Sequence, residues 1–138
     1  MAATTNPRPP GWFAIGIFLL GGAVLATFAG ITLIFPGTFL DRAWLLNPTG
    51  HAELTALGRW VGFLFPLLGL VLAAAGMGWL KRRRWGWRLA VLLIAANAVG
   101  DLSRLVSGAW IAGTVGVLIA GMLLIYMMRP AMRRFLQD

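Results

Sequence analysis

Four long apolar runs divide the chain, and what lies between them is short. The first, Gly11 to Phe35, holds no charge and ends at Pro36-Gly37. The second runs from about Ala56 to Leu80, with Arg59 near its start and Pro66 inside. The third, about Trp85 to Val106, carries Asn97, Asp101 and Arg104 in its second half. The fourth, Ala109 to Met128, is uncharged and stops at Arg129-Pro130, because a residue before proline disfavours the helical region. At about 1.5 Å per residue each run is long enough to cross a hydrocarbon core of about 30 Å as a helix. The pattern predicts an all-α, four-helix transmembrane bundle that forms one integral membrane domain. Its spans fall near 11–35, 56–80, 85–106 and 109–128. The first run is too long for the core of a cleavable signal, so it is expected to be a retained span.

The one sizeable connection, 36–55, has its own punctuation. Thr38 followed by Asp41 matches a capping box, in which the acid reaches back to the cap amide. Phe39, Leu40, Ala43, Trp44 and Leu46 then form an apolar stripe. A short helix over 39–46 is expected to lie in the membrane interface with Trp44 at headgroup level. Asn47-Pro48 reads as a helix cap followed by proline at the first helical position. The second span is therefore expected to begin near Pro48 and continue through Arg59. Pro66 should leave the Gly62 carbonyl without its helical partner.

Composition agrees with the pattern. Of 138 residues, 59% are hydrophobic and 12% charged, and the mean hydropathy is +0.82. A soluble domain carries about twice that share of charge. With no cysteine, disulfides, thiolate metal sites and cysteine nucleophiles are excluded. The net charge of +8 is explained by its placement. Arg8, the 81–88 hairpin (Lys81, Arg82, Arg83, Arg84, Arg88) and the 129–138 tail (Arg129, Arg133, Arg134) hold nine of the twelve basic residues. With four spans these all fall on one face, which the positive-inside rule makes cytoplasmic. They are expected to meet anionic headgroups rather than nucleic acid. The tail itself reads as an interfacial helix, with Met132, Phe135 and Leu136 set against Arg133 and Arg134.

Small residues recur at four-residue spacing: Gly22, Ala26 and Gly30; Gly69 and Ala73; Ala74 and Gly78; Ala112, Gly116 and Ala120. Such stripes let helix backbones approach in lipid, within one chain or between chains. The first and last are the expected faces for self-association or a protein partner. Candidate chemistry is sparse. Asn97, Asp101 and Arg104 share a helix face, and Asp101 can pair with Arg104 at i, i+3. Asn97 lies a turn deeper and is expected to find a partner on another helix. Asp41, His51, Glu53 and Arg59 complete an outward polar set that includes Asp101. His51 and Glu53 are two residues apart and so point to different sides of a helix, and a catalytic zinc site needs more ligands than one histidine anchors. No cofactor or metal is predicted, and catalysis is disfavoured. The seven tryptophans (Trp12, Trp44, Trp60, Trp79, Trp85, Trp87 and Trp110) sit at predicted span ends and read as an aromatic belt.

The stretches "PGTFLDRAWLLNPTGHAEL", "RRRWGWRLAVLLIAANAVGDL" and "YMMRPAMRRF" resemble a recurrent type of small bacterial four-span membrane protein. That type shows a P-G-T…N-P…H connection, an R-R-W-G turn, an N-x-x-G-D element and an R-P-x-x-R-x-F tail. The resemblance covers most of residues 36–135. It implies an architecture rather than an activity, in a bacterial membrane; the distribution of basic residues makes that the inner membrane with both termini cytoplasmic. It draws attention to Asn47, Pro48, His51, Asn97, Gly100 and Asp101. The functional expectation is a structural or accessory membrane protein, such as a subunit of a larger complex. The alternative is a lipid or small-solute binding or transport module with a polar mouth.

Overall fold

In a computed structural model the chain is described over residues 7–137, so Asp138 of the predicted tail and the first six residues lie outside it. Six α-helices and one 3-10 helix account for nearly all of that range, and no strand occurs among the described residues. The helices are α1 (Trp12–Ile34), α2 (Pro48–Ala56), α3 (Arg59–Leu80), α4 (Arg84–Val106), α5 (Trp110–Met128) and α6 (Pro130–Gln137). The 3-10 helix spans Phe39–Leu46. Helices α1, α3, α4 and α5, with 23, 22, 23 and 19 residues, are long and apolar enough to cross a membrane. The chain is a multi-pass membrane protein of four spans.

The residues group into two compact units. One comprises Phe18 to Ala74, and so holds most of α1, the connection and the first part of α3. Here the two long helices meet through glycines. A Cβ on Gly30 would overlap the Pro66 ring and stand 2.8 Å from the Gly62 carbonyl oxygen. Pro66 has no N–H, so Gly62 lacks the usual helical donor, and Gly30 sits against the place the ring makes. Gly62 faces Ile34 and Leu33, while Gly69 receives Thr27 and the Ala23 carbonyl. The Gly22, Ala26, Gly30 stripe is thus turned toward α3, with Ala26 buried and Leu72 the nearest neighbour of Gly22.

The connection departs from expectation in two places. The helix that starts at Pro48 ends at Ala56, and α3 begins separately at Arg59. Gly58, at φ +91°, takes the left-handed position that only glycine adopts cheaply, and its N–H bonds the Thr55 carbonyl. The residues 39–46 wind as a 3-10 rather than an α-helix. Asp41 Oδ2 accepts from the Gly37 N–H at 2.6 Å, one residue earlier than the box requires, while Thr38 makes no cap bond through its side chain. Asn47 caps α2: its Oδ1 accepts from Gly50 N–H at 3.0 Å.

The second unit takes in the chain up to Ile17 and from Ala75 onward. Helices α3 and α4 join through a tight turn in which Arg83 N–H bonds the Gly78 carbonyl and Arg82 N–H bonds that of Trp79. This is the double bond of a Schellman ending, with Arg82 at φ +56° where glycine is usual. The turn lets Gly78 and Gly86 meet backbone to backbone, since a Cβ on either would overlap the other. Trp79, fully buried, donates its indole N–H to the Trp12 carbonyl at 2.8 Å. Trp87 donates to the Met127 carbonyl at 3.2 Å.

The tail does not turn its apolar face to lipid. Met132, Phe135 and Leu136 are buried in this unit, and the Phe135 ring meets Trp12 edge-on at 5.6 Å. Pro130 starts α6 directly after α5, separated by Arg129 alone. The far end is fastened by Arg82, whose Nε and a terminal nitrogen both donate to the Phe135 carbonyl, at 3.0 and 2.7 Å. Its guanidinium also lies 4.1 Å from the Phe135 ring centroid. One arginine therefore bears a backbone conformation that costs an L-residue about 1–2 kcal/mol, in exchange for capping α6. Arg82→Ala is expected to lower the melting temperature in mild detergent by several degrees. Arg82→Gly should lower it less, because glycine relieves the left-handed position while losing the same bonds. Thermal unfolding of the two variants side by side checks the order.

Candidate functional site

The polar residues of α4 form the one connected group of side chains within a spanning helix among the described residues. Asn97, Asp101 and Arg104 fall on one side of α4 by helical periodicity. Asp101 is 8% exposed, the one buried acidic residue among those described. Its carboxylate rests against α5, where a Cβ on Gly116 would overlap both oxygens. One turn away, Gly113 admits the Leu105 backbone and the Asp101 carbonyl just as closely. Glycine at these two positions makes the room in which the acid sits.

A carboxylate in a low-dielectric site needs donors. Asn97 Nδ2 supplies one to Asp101 Oδ2 at 2.9 Å. Arg104 supplies a looser ion pair to Oδ1 at 3.8 Å, with 69% of its own side chain exposed. The bond expected between Asn97 and another helix is instead made one turn along α4. The reason is local: spacing of four residues brings the amide beside a buried acid that lacks a nearer donor. Asn97 itself is exposed, and it lies two residues from the midpoint of α4, about 3 Å along the axis. Gly100, next to it on the surface, has nothing within 4 Å of an added Cβ.

The small-residue stripe of α5 is shifted from its expected phase. Gly116 packs within the chain against Asp101 of α4 and Ala120 is buried, but Ala112 is exposed and Gly113 takes its place. A spacing of three and then four residues follows the contact line better than two steps of four.

The remaining candidates belong to the other unit, and three of them, Asp41, His51 and Arg59, are engaged locally. Asp41 caps the Gly37 amide. The His51 ring stacks on Trp44, with centroids 4.9 Å apart and planes 16° off parallel. Arg59 donates from a terminal nitrogen to the Ile34 carbonyl at 3.2 Å, tying the start of α3 to the end of α1. Glu53 and Arg42 are exposed. His51 and Glu53 do not converge, and no group of three His, Cys, Asp or Glu side chains comes together as metal ligands among the described residues. No family model, curated protein or solved structure matches the chain.

The functional weight of several tryptophans was not visible in the sequence. Trp44, Trp79 and Trp87 spend their N–H groups on protein acceptors, while Trp60, Trp85 and Trp110 are exposed at helix starts, where a belt would have them. In the hairpin, Arg82 works as a cap. In the tail, Arg133 lies over Trp87 at 5.7 Å and Arg129 over Tyr126 at 5.5 Å. Nothing in residue order separates a tryptophan that meets headgroups from one that bonds a neighbouring helix.

The contact between Asp101 and Gly116 can be measured as a coupling. Gly116→Ala should destabilise the protein because the new methyl displaces the carboxylate and breaks its bond with Asn97. In an Asp101→Ala background the same change should cost less, by on the order of 1 kcal/mol. A double-mutant cycle on thermal stability in detergent checks this. Equal costs in both backgrounds would mean that the acid and the glycine do not interact.

Proposed function

We propose that this chain is a structural or accessory protein of a larger membrane assembly, acting as a small subunit. The observation that carries the reading is Asn97, a carboxamide exposed near the middle of a spanning helix. In hydrocarbon a polar group without partners is costly, and interhelical hydrogen bonds from such groups are worth about 1–2 kcal/mol in model peptides. One amide hydrogen is used on Asp101, and the rest of the group is offered outward. A neighbouring chain would satisfy it. The bonding of Asp41, Arg59 and Arg82 to nearby backbone amides and helix-end carbonyls, and of Asp101 to Asn97 on its own helix, supports the same reading, since these side chains are invested in architecture.

The assembly is placed in the cytoplasmic membrane of a bacterium, with both termini inside. The resemblance of the motifs and the nine basic residues grouped at Arg8, the 81–88 hairpin and the tail support that placement. Anionic headgroups are its expected lipid partners there. The stripes on α1 and α5 are largely occupied within the chain, so the partner surface falls to α4 around Asn97 and Gly100. The second reading, a lipid or solute module, draws on the same exposed Asn97 and on Arg104, which could together receive a polar ligand.

Asn97→Val distinguishes the two. On the subunit reading, purification in mild detergent from the native host yields a partner protein with the wild type. The valine variant loses most of that partner while its melting temperature moves by only a few degrees. Recovery of the wild type alone and monomeric would sink the subunit reading. Loss of a co-purifying lipid or solute instead of a protein would move the assignment to the binder.

A further inference from the structure

We propose that the 3-10 helix Phe39–Leu46 is embedded in the bilayer, with Phe39, Leu45 and Leu46 among the acyl chains of the leaflet in which α1 ends. Two independent observations meet in this segment. The first is exposure: Phe39 is 78% exposed, Leu45 79% and Leu46 94%. Three large apolar side chains in eight residues are too many to leave in water without a partner surface. The second is depth. Trp44 Nε1 donates to Thr32 Oγ1 at 2.8 Å, and Thr32 is fully buried. Thr32 stands two residues inside the end of α1, about 3 Å along the axis. The 3-10 helix is therefore pinned at the level of the last turn of a spanning helix. Leu45 and Leu46 follow Trp44 directly, and each step along the chain covers 3.8 Å between Cα atoms at most. They cannot stand far above that level.

The geometry of the helix sorts its side chains. With three residues per turn, Asp41 and Trp44 share one row, Phe39, Arg42 and Leu45 a second, and Leu40, Ala43 and Leu46 a third. The first row is the protein-facing one, with Asp41 on the Gly37 amide and Trp44 on Thr32. The second and third rows hold the exposed leucines and phenylalanine. Arg42, exposed between Phe39 and Leu45, has a stem long enough to reach phosphate while its neighbours stay among hydrocarbon. A cation in that position matches a lipid headgroup region and would be costly in a dry protein interface. Arg59 on the Ile34 carbonyl ties the start of α3 to the end of α1, so the whole connection leaves and re-enters the spanning helices at one level. The occupant of this surface is lipid. It differs from an interface helix anchored by its tryptophan, because the indole faces protein and aliphatic groups take the lipid.

The absence of cysteine makes the test direct, since single cysteines can be placed in an otherwise unaltered chain. Leu45→Cys, Leu46→Cys and, as an aqueous reference, Glu53→Cys would be spin-labelled and reconstituted into phosphatidylcholine–phosphatidylglycerol nanodiscs. Power saturation then compares collision with oxygen, which partitions into lipid, and with a water-soluble nickel chelate. The expected result is severalfold greater access to oxygen than to nickel at 45 and 46, and the reverse at 53. Greater nickel access at 45 and 46 overturns the proposal in favour of water. Shielding from both reagents overturns it in favour of a protein cover. The unaltered chain supplies a second measurement: a phosphatidylcholine carrying a photoactivatable group in its acyl chain should label the peptide holding Phe39–Leu46. Labelling of α1 and α5 without that peptide would also overturn it. These readouts report depth rather than assembly, so they stand or fall separately from the subunit reading.

Discussion

Close approach of helix backbones is the constraint on which the rest of this molecule depends. In lipid, the transfer of apolar side chains from one hydrocarbon neighbour to another brings little free energy, so helices are held by dispersion at short range and by polar bonds. Both require the backbones to come near. Glycine supplies that nearness at Gly30 and Gly62 against the Pro66 turn, at Gly78 and Gly86 beside the hairpin, and at Gly113 and Gly116 beneath Asp101. Each of these contacts would be blocked by one added carbon.

Once the backbones are near, a second set of interactions sets register. Trp44, Trp79 and Trp87 reach across to a hydroxyl or a carbonyl on another segment, and Arg59 and Arg82 reach across to helix-end carbonyls. Such bonds gain strength where water is scarce, and they also satisfy backbone groups that helix ends leave open. Arg82 carries the principle furthest. It ends α3 in the left-handed conformation and in the same position holds the end of α6. The Asn97–Asp101–Arg104 group uses the same physics with a charge: a glycine floor lets the acid in, and two donors on its own helix keep it there.

Much of the candidate site is legible in the residue order. Helical spacing put Asn97, Asp101 and Arg104 on one side of α4, and that arrangement follows from the backbone alone. Which helix lies opposite does not, so the pairing of Asp101 with Gly116 came from packing, as did the shift from Ala112 to Gly113. The break at Gly58 carried a signal in the order Ala56-Leu57-Gly58, a glycine just past a helix end, but the apolar run that followed outweighed it. The 3-10 winding of 39–46 and the misplaced capping bond had no such signal. The structure shows the segment bonded through Trp44 to Thr32 and through Asp41 to the Gly37 amide, contacts that residue order does not announce.

What this sequence settles by itself is the number of spans, their approximate limits and the clustering of basic charge at Arg8, the hairpin and the tail. Run length, hydropathy and the count of lysine and arginine are one-dimensional quantities, and the membrane reads them as such. The tertiary structure decides which polar and aromatic side chains turn inward. Trp44 and Trp60 are the same residue type near the same boundary, yet one bonds a buried threonine and the other is 81% exposed. That difference depends on a neighbour brought close by folding, and a tryptophan's place along the chain does not encode what lies across from it.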